Sequence, residues 1–154
     1  VGHLQSNKAR LAAELFNVIH SVDSIKLAAK LNDACMALGK RISVLLQVDL
    51  GQEETKFGAD PESMAQIVST VSRLPGLILD GLMTIPPFFE DAEMARPYFM
   101  RLRRLRDDLE TQVPGCLGTG QLSMGMSHDF FIAIQEGATI VRVGTAIFGE
   151  RHRD

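Results

Sequence analysis

Residues Gln121–Gly149 read QLSMGMSHDFFIAIQEGATIVRVGTAIFG and contain two short apolar runs, each ending in small hydrogen-bonding residues. The first is Leu122-Ser123-Met124-Gly125-Met126-Ser127 and the second is Ile140-Val141-Arg142-Val143-Gly144-Thr145. Runs of this length, bounded by turn formers and separated by a longer segment, predict strand, turn, helix, strand. Ser127 is expected to cap a helix of about a dozen residues, with Asp129 in its first turn and Gly137 closing it. Two adjacent parallel strands then bring Ser123, Gly144 and Thr145 to one rim. Free backbone N–H groups, hydroxyls and a helix N-terminus at that rim favour an anion, and phosphate suits it. Arg142 lies two residues before Gly144, so in an extended strand it shares the face of Gly144 and points toward whatever carries the anion. The same small residues also suit plain tight turns, and spacing alone leaves both readings open.

The strand-then-helix pattern recurs upstream. Arg41–Leu50 alternates Ile42, Val44, Leu46 and Val48 with Ser43, Leu45, Gln47 and Asp49, the mark of a strand with two different faces. Leu77–Ile85 is a further strand, stopped by Pro86-Pro87. Val18–Val22 and Val1–Leu4 read as shorter ones. Between them lie helices opened by Ser6 or Asn7 (with Leu11, Leu15 and Phe16 on one side), by Asp23-Ser24, and by Asp60 with Pro61 at the first helical position. The helix from Ala92 to about Val113 carries Tyr98, Leu102, Leu105 and Leu109 on one stripe, with Arg103/Asp107, Arg104/Asp108 and Arg106/Glu110 as expected i,i+4 pairs on its solvated face. Six strands alternating with five helices, and no hairpin dipeptide between neighbouring strands, require parallel strands with crossover helices. Two α/β architectures remain: an open doubly wound sheet, or a (β/α)8 TIM-type barrel of which about six of the eight strand-helix units are present. A phosphate-type rim on the last two strands favours the barrel, and no glycine-rich first turn of a dinucleotide fold is found.

Composition narrows the classes. The chain has 154 residues, 45% hydrophobic and 23% charged, which is the balance of a globular domain with a real core. No apolar run reaches the roughly 20 residues of a bilayer helix, and no signal peptide is evident, so a cytoplasmic protein with no membrane partner is expected. A net charge of -3 gives no general pull toward nucleic acid. Cys35 and Cys116 read as reduced thiols, and His3, His20, His128 and His152 share no metal-ligand spacing, so no metal site is expected. The chain begins with Val1, and Val1–Leu4 reads as a strand already under way, so a fragment is expected.

Four motifs in order then carry a resemblance: Gly2-His3-Leu4-Gln5-Ser6-Asn7-Lys8, Gly81-Leu82-Met83-Thr84-Ile85-Pro86, Leu122 to Asp129, and Arg142 to Gly149. Over essentially its whole length the chain resembles the pyridoxal phosphate homeostasis protein family, the YggS/PROSC group related to the barrel domain of bacterial alanine racemase. The resemblance implies a barrel that binds pyridoxal 5'-phosphate, without established catalytic turnover, in a role that balances vitamin B6 and amino-acid pools. It matches Ser123 and the backbone around Met124 to the phosphate-binding serine turn, Gly144 and Thr145 to the second phosphate turn, and Arg142 to the arginine facing the pyridine nitrogen. Asn7, His3 and Met83 match positions at the barrel mouth. The family's Schiff-base lysine sits on its first barrel strand, and no lysine here matches it; neither Lys8 nor Lys56 is assigned that role. Residues 1–154 are therefore expected to form a single partial barrel domain lacking its first two strand-helix units and any catalytic residue of its own, the intact protein being a monomer or weak dimer. The rival readings are an amino-acid racemase-like pyridoxal enzyme, which needs a second domain and an opposing acid/base group, and a different phosphate-binding barrel enzyme.

Overall fold

The computed structural model describes residues 2–51 and 57–149. Five strands, β1 (Val18–Val22), β2 (Ile42–Gln47), β3 (Leu77–Met83), β4 (Gln121–Met126) and β5 (Ile140–Arg142), form one sheet in the order β1-β2-β3-β4-β5. Every neighbouring pair is parallel. The helices are α1 (Ala9–Leu15), α2 (Ile25–Ala37), α3 (Met64–Val71), α4 (Arg96–Gln112), α5 (Phe130–Gln135) and α6 (Thr145–Phe148).

The strand order decides between the two architectures. A doubly wound sheet reverses its order to place helices on both faces, whereas right-handed crossovers between successive neighbours keep them on one. Here the order never reverses. Ile42, Val44 and Leu46 of β2, with Val48 just past it, pack with Leu27 and Leu31 of α2 and with Met64, Ile67 and Val68 of α3 in one core on the helical side. Gln47, Met83 and Ser123, which are register neighbours across three strands, face the other way. The sheet is also curled. His20 of β1 and Ser123 of β4 stand three strand spacings apart, about 14 Å in a flat sheet, yet His20 Nδ1 lies 3.0 Å from Ser123 Oγ. The sheet is an arc of a (β/α) barrel, and its concave face is the barrel interior.

Local sequence chemistry produced several elements as expected. Ser24 caps α2 by accepting from the Leu27 N–H at 3.3 Å, and Asp60 accepts from the Glu62 N–H at 3.0 Å with Pro61 at the first helical position. The buried residues of α3 are Met64, Ile67, Val68 and Val71, the stripe its spacing implies.

Other expectations are corrected. Residues 2–5 form no strand, so the described sheet has five strands and not six. A strand exists only where a ladder partner accepts it, and His3 is instead tied beyond the C-terminal ends of β1 and β2, to Asp23 (3.0 Å) and to the Phe57 ring (3.9 Å between centroids). Leu11, Leu15 and Phe16 are each more than half exposed; α1 buries Ala9, Ala12 and Ala13, whose small side chains permit close approach to α2. The dozen-residue helix expected after Ser127 begins only at Phe130, because the Ser127 hydroxyl is engaged elsewhere. The arginine-rich face of α4 does not form the expected i,i+4 ladder. Arg106 pairs with the adjacent Asp107, while Arg103 reaches Glu136 at 3.1 Å and the Glu110 carboxylate accepts from the Gly115 and Leu117 N–H groups, so these last two charges tie α4 to its neighbours. Among the described residues no helix is long and apolar enough to cross a membrane.

Candidate functional site

The C-terminal ends of β4 and β5 are joined by a side-chain clamp. Ser127, just past β4, accepts from the Gly144 N–H at 2.9 Å and from the Ala146 N–H at 3.2 Å. A hydroxyl oxygen thus already occupies the point on which the turn after β5 converges its amides, and it keeps its own proton to donate outward. Asp129 holds the start of this turn by accepting from the Met126 N–H at 2.7 Å. Gly144 leaves open space where a side chain would begin, with no atom within 4 Å of an added Cβ.

Below this rim, on the concave face, lies Arg142. Its side chain is buried, with Nη1 donating to Ser123 Oγ at 2.6 Å and Nη2 donating to the Thr84 carbonyl at 2.8 Å. The third nitrogen, Nε, is buried without a partner. Burial pushes the Arg142 pKa down to about 10, against the opposing charge of Asp129, so the guanidinium stays positive at neutral pH. A buried cation bonded only to neutral oxygens, with one nitrogen wholly unpartnered, is a costly arrangement unless something else uses that nitrogen. Ser123 is fully buried and carries a second partner, His20 Nδ1 at 3.0 Å. Burial first, and the Arg142 charge second, push the His20 pKa below its ordinary value of 6.5.

The expected site residues therefore separate into groups. Arg142 and Ser123 meet directly, and Met83 is the register neighbour of Ser123 on β3, fully buried. Gly144 lies at the rim and Thr145 follows it, exposed, as the first residue of α6. The Met124 side chain belongs to the core on the helical side. His3 sits at the mouth beside Asp23 and Phe57, whereas Asn7 lines a groove of the outer helical layer with Lys30 and Ala34 of α2. Lys8 is exposed, and Lys56 lies outside the described residues.

Three groups were not singled out from sequence as site residues: Ser127, His20 and the Thr84 carbonyl. For His20 a signal did exist, since a histidine in the run Val18-Ile19-His20-Ser21-Val22 stands opposite in face to the core residue Ile19.

A family model described as the alanine racemase N-terminal domain matches residues 1–152. The pyridoxal phosphate homeostasis protein of Aquifex aeolicus is 45% identical over 151 residues, 98% of this chain and 65% of that protein. The chain thus spans about two-thirds of the length of the curated relatives it matches. Among solved structures, PipY of Synechococcus elongatus without PLP superposes with a TM-score of 0.90 at 42% identity, covering 97% of this chain and 69% of PipY. The same protein with PLP bound gives a TM-score of 0.88 at 41% identity, covering 97% and 68%.

Proposed function

Because the chain belongs to the alanine racemase N-terminal domain family, among relatives that include the pyridoxal phosphate homeostasis proteins and PipY, we propose that it forms the phosphate- and ring-binding part of a pyridoxal 5'-phosphate site in a protein that keeps this cofactor in balance. The observation that carries the reading is the pairing of the Ser127–Gly144–Ala146 clamp with a buried Arg142 whose Nε has no partner.

The residues present fit the cofactor. Its phosphate would take the outward proton of Ser127, whose oxygen the Gly144 and Ala146 N–H groups hold in place, with Thr145 beside it. The open space at Gly144 admits the ligand close to the backbone. The ring nitrogen is an acceptor, and Arg142 Nε is a donor without a partner on the same concave face. A guanidinium there opposes protonation of the ring nitrogen, and so moderates the electron-withdrawing character of the ring. When bound, the cofactor supplies an aldehyde and an electron-accepting ring; the protein's part is to bind, orient and set the charge around them. Met83 lies alongside on β3, and His3 belongs to the far side of the mouth. The reading includes a cytoplasmic protein, monomeric or weakly dimeric, with no nucleic-acid partner; the net charge of -3 and the two buried free thiols support it.

Comparing pyridoxal 5'-phosphate with pyridoxal, which lacks the phosphate, tests the division of labour. In the full-length protein, Ser127→Ala should weaken pyridoxal 5'-phosphate about tenfold, the loss of one charge-assisted hydrogen bond, and leave pyridoxal affinity almost unchanged. An equal loss for both ligands in an absorbance titration would remove Ser127 from the phosphate site.

A further inference from the structure

We propose that His20, acting through the Ser123 hydroxyl, is a positioning residue for Arg142 that fixes which nitrogen of the guanidinium is left for the ligand ring. The proposal rests on the reading above, in which the ring nitrogen meets Arg142.

A serine hydroxyl has one proton and two acceptor positions. Arg142 Nη1 occupies one acceptor position of Ser123 at 2.6 Å. The contact with His20 can then run in two directions. Were Nδ1 to carry a proton and donate to Oγ, the hydroxyl proton would be left to find an acceptor inside a site where Ser123 has no solvent exposure. With the hydroxyl donating to Nδ1, both groups are satisfied in a single chain from guanidinium to hydroxyl to imidazole. His20 is therefore the neutral imidazole with its proton on Nε2. A protonated His20 would reverse this bond and set a second cation beside the guanidinium. Other titratable groups on that side of the mouth include His3 and its partner Asp23, and the positive charge of the chain's amino terminus adds a smaller downward push on His20.

The relay has a functional consequence. With Nη1 held by Ser123 and Nη2 by the Thr84 carbonyl, the orientation of the guanidinium is fixed and Nε is its one nitrogen without a protein partner. Ser123 then serves the arginine and does not touch the ligand. Removing the acceptor at His20 frees the hydroxyl to turn, and Arg142 loses one of its two fixed anchors.

The first test needs no ligand. Nitrogen NMR of the His20 ring in the full-length protein should show the Nε2-protonated tautomer at neutral pH, titrating below 6.5, and Arg142→Gln should raise that titration toward 6.5. Because the folded-state value lies below the unfolded one, the folded protein binds fewer protons in that interval. The stabilising contribution is present above 6.5 and is lost as pH falls toward the folded-state value, and His20→Asn should remove this slope. An Nδ1-protonated ring, or a titration at 6.5 that ignores Arg142→Gln, overturns the relay. The second test uses pyridoxal 5'-phosphate. His20→Phe should weaken it about three- to tenfold and shift its absorbance maximum. His20→Asn, whose amide oxygen lies near the Nδ1 position, should restore both. Wild-type affinity and spectrum in His20→Phe would also overturn the relay. Should the wild-type protein fail to bind pyridoxal 5'-phosphate, the proposed function fails while the tautomer still decides the relay. If His20→Phe does not fold, the wild-type tautomer and the Arg142→Gln titration decide it alone.

Discussion

Gly81→Ala is expected to leave the protein barely folded. Gly81 lies on β3 with φ +151°, a backbone conformation that side chains rarely adopt, and it is paired with Gln121 on β4. A Cβ there would lie 2.6 Å from the Gln121 backbone nitrogen and closer still to its carbonyl oxygen. Both obstacles are backbone, so no rotamer change relieves them. Either β4 moves, carrying Ser123 and Ser127 with it, or the β3–β4 ladder opens. Forced strain and overpacking together should cost about 3–5 kcal/mol, a large part of the roughly 5–15 kcal/mol that holds a domain folded. Gly39→Ala is the comparison, since its φ of +64° is also positive but nothing lies within 4 Å of an added Cβ. It should cost only the conformational strain, about 1 kcal/mol. Urea unfolding of the two variants measures the difference. A Gly81→Ala midpoint close to that of Gly39→Ala would mean that β3 and β4 do not approach as described.

Arg142→Gln should have the largest effect on the ligand. Glutamine keeps a short polar side chain but loses the charge and cannot bond Ser123, the Thr84 carbonyl and a ring nitrogen together. Hydrogen bonds to charged groups contribute about 1.5–3 kcal/mol, so affinity for pyridoxal 5'-phosphate should fall about ten- to a hundredfold. The cofactor should still bind, held by the Ser127 and Gly144 turn, but with an altered absorbance as the ring loses its cationic neighbour. Arg142→Lys should not rescue, because an ammonium lacks the three-nitrogen fork that reaches these partners. Complete loss of binding, matched by equal loss of inorganic phosphate binding, would make Arg142 a phosphate anchor and contradict the division between ring and phosphate.

How far such a site can be read without coordinates depends on where each contact is decided. The two faces of β2 and the buried stripe of α3 were legible because alternation and helical spacing are local properties. Arg142 could be placed on the face of Gly144 for the same reason. The two serines could not be told apart. Ser123 and Ser127 are four residues apart, on one face of an extended strand, and which of them reaches Gly144 depends on pairing register. The β4–β5 ladder shifts between Ser123 and Met126, and that irregularity delivers Ser127 to the turn and leaves Ser123 beneath it with Arg142. The face of His20 was legible but its contact with Ser123 was not, because that partner is 103 residues away and the contact exists only in a curled sheet. Of the strand expected at Val1–Leu4, the described residues 2–4 form none, because apolar character can suggest a strand but cannot supply its neighbour.

The nitrogen NMR shift of ring-labelled pyridoxal 5'-phosphate bound to the full-length protein tests the central claim most directly, that Arg142 faces the ring nitrogen as a donor. At neutral pH the bound ring nitrogen should resonate as an unprotonated pyridine accepting a hydrogen bond, and it should move when Arg142 is replaced by glutamine. A pyridinium shift, or a shift indifferent to that replacement, would contradict the account.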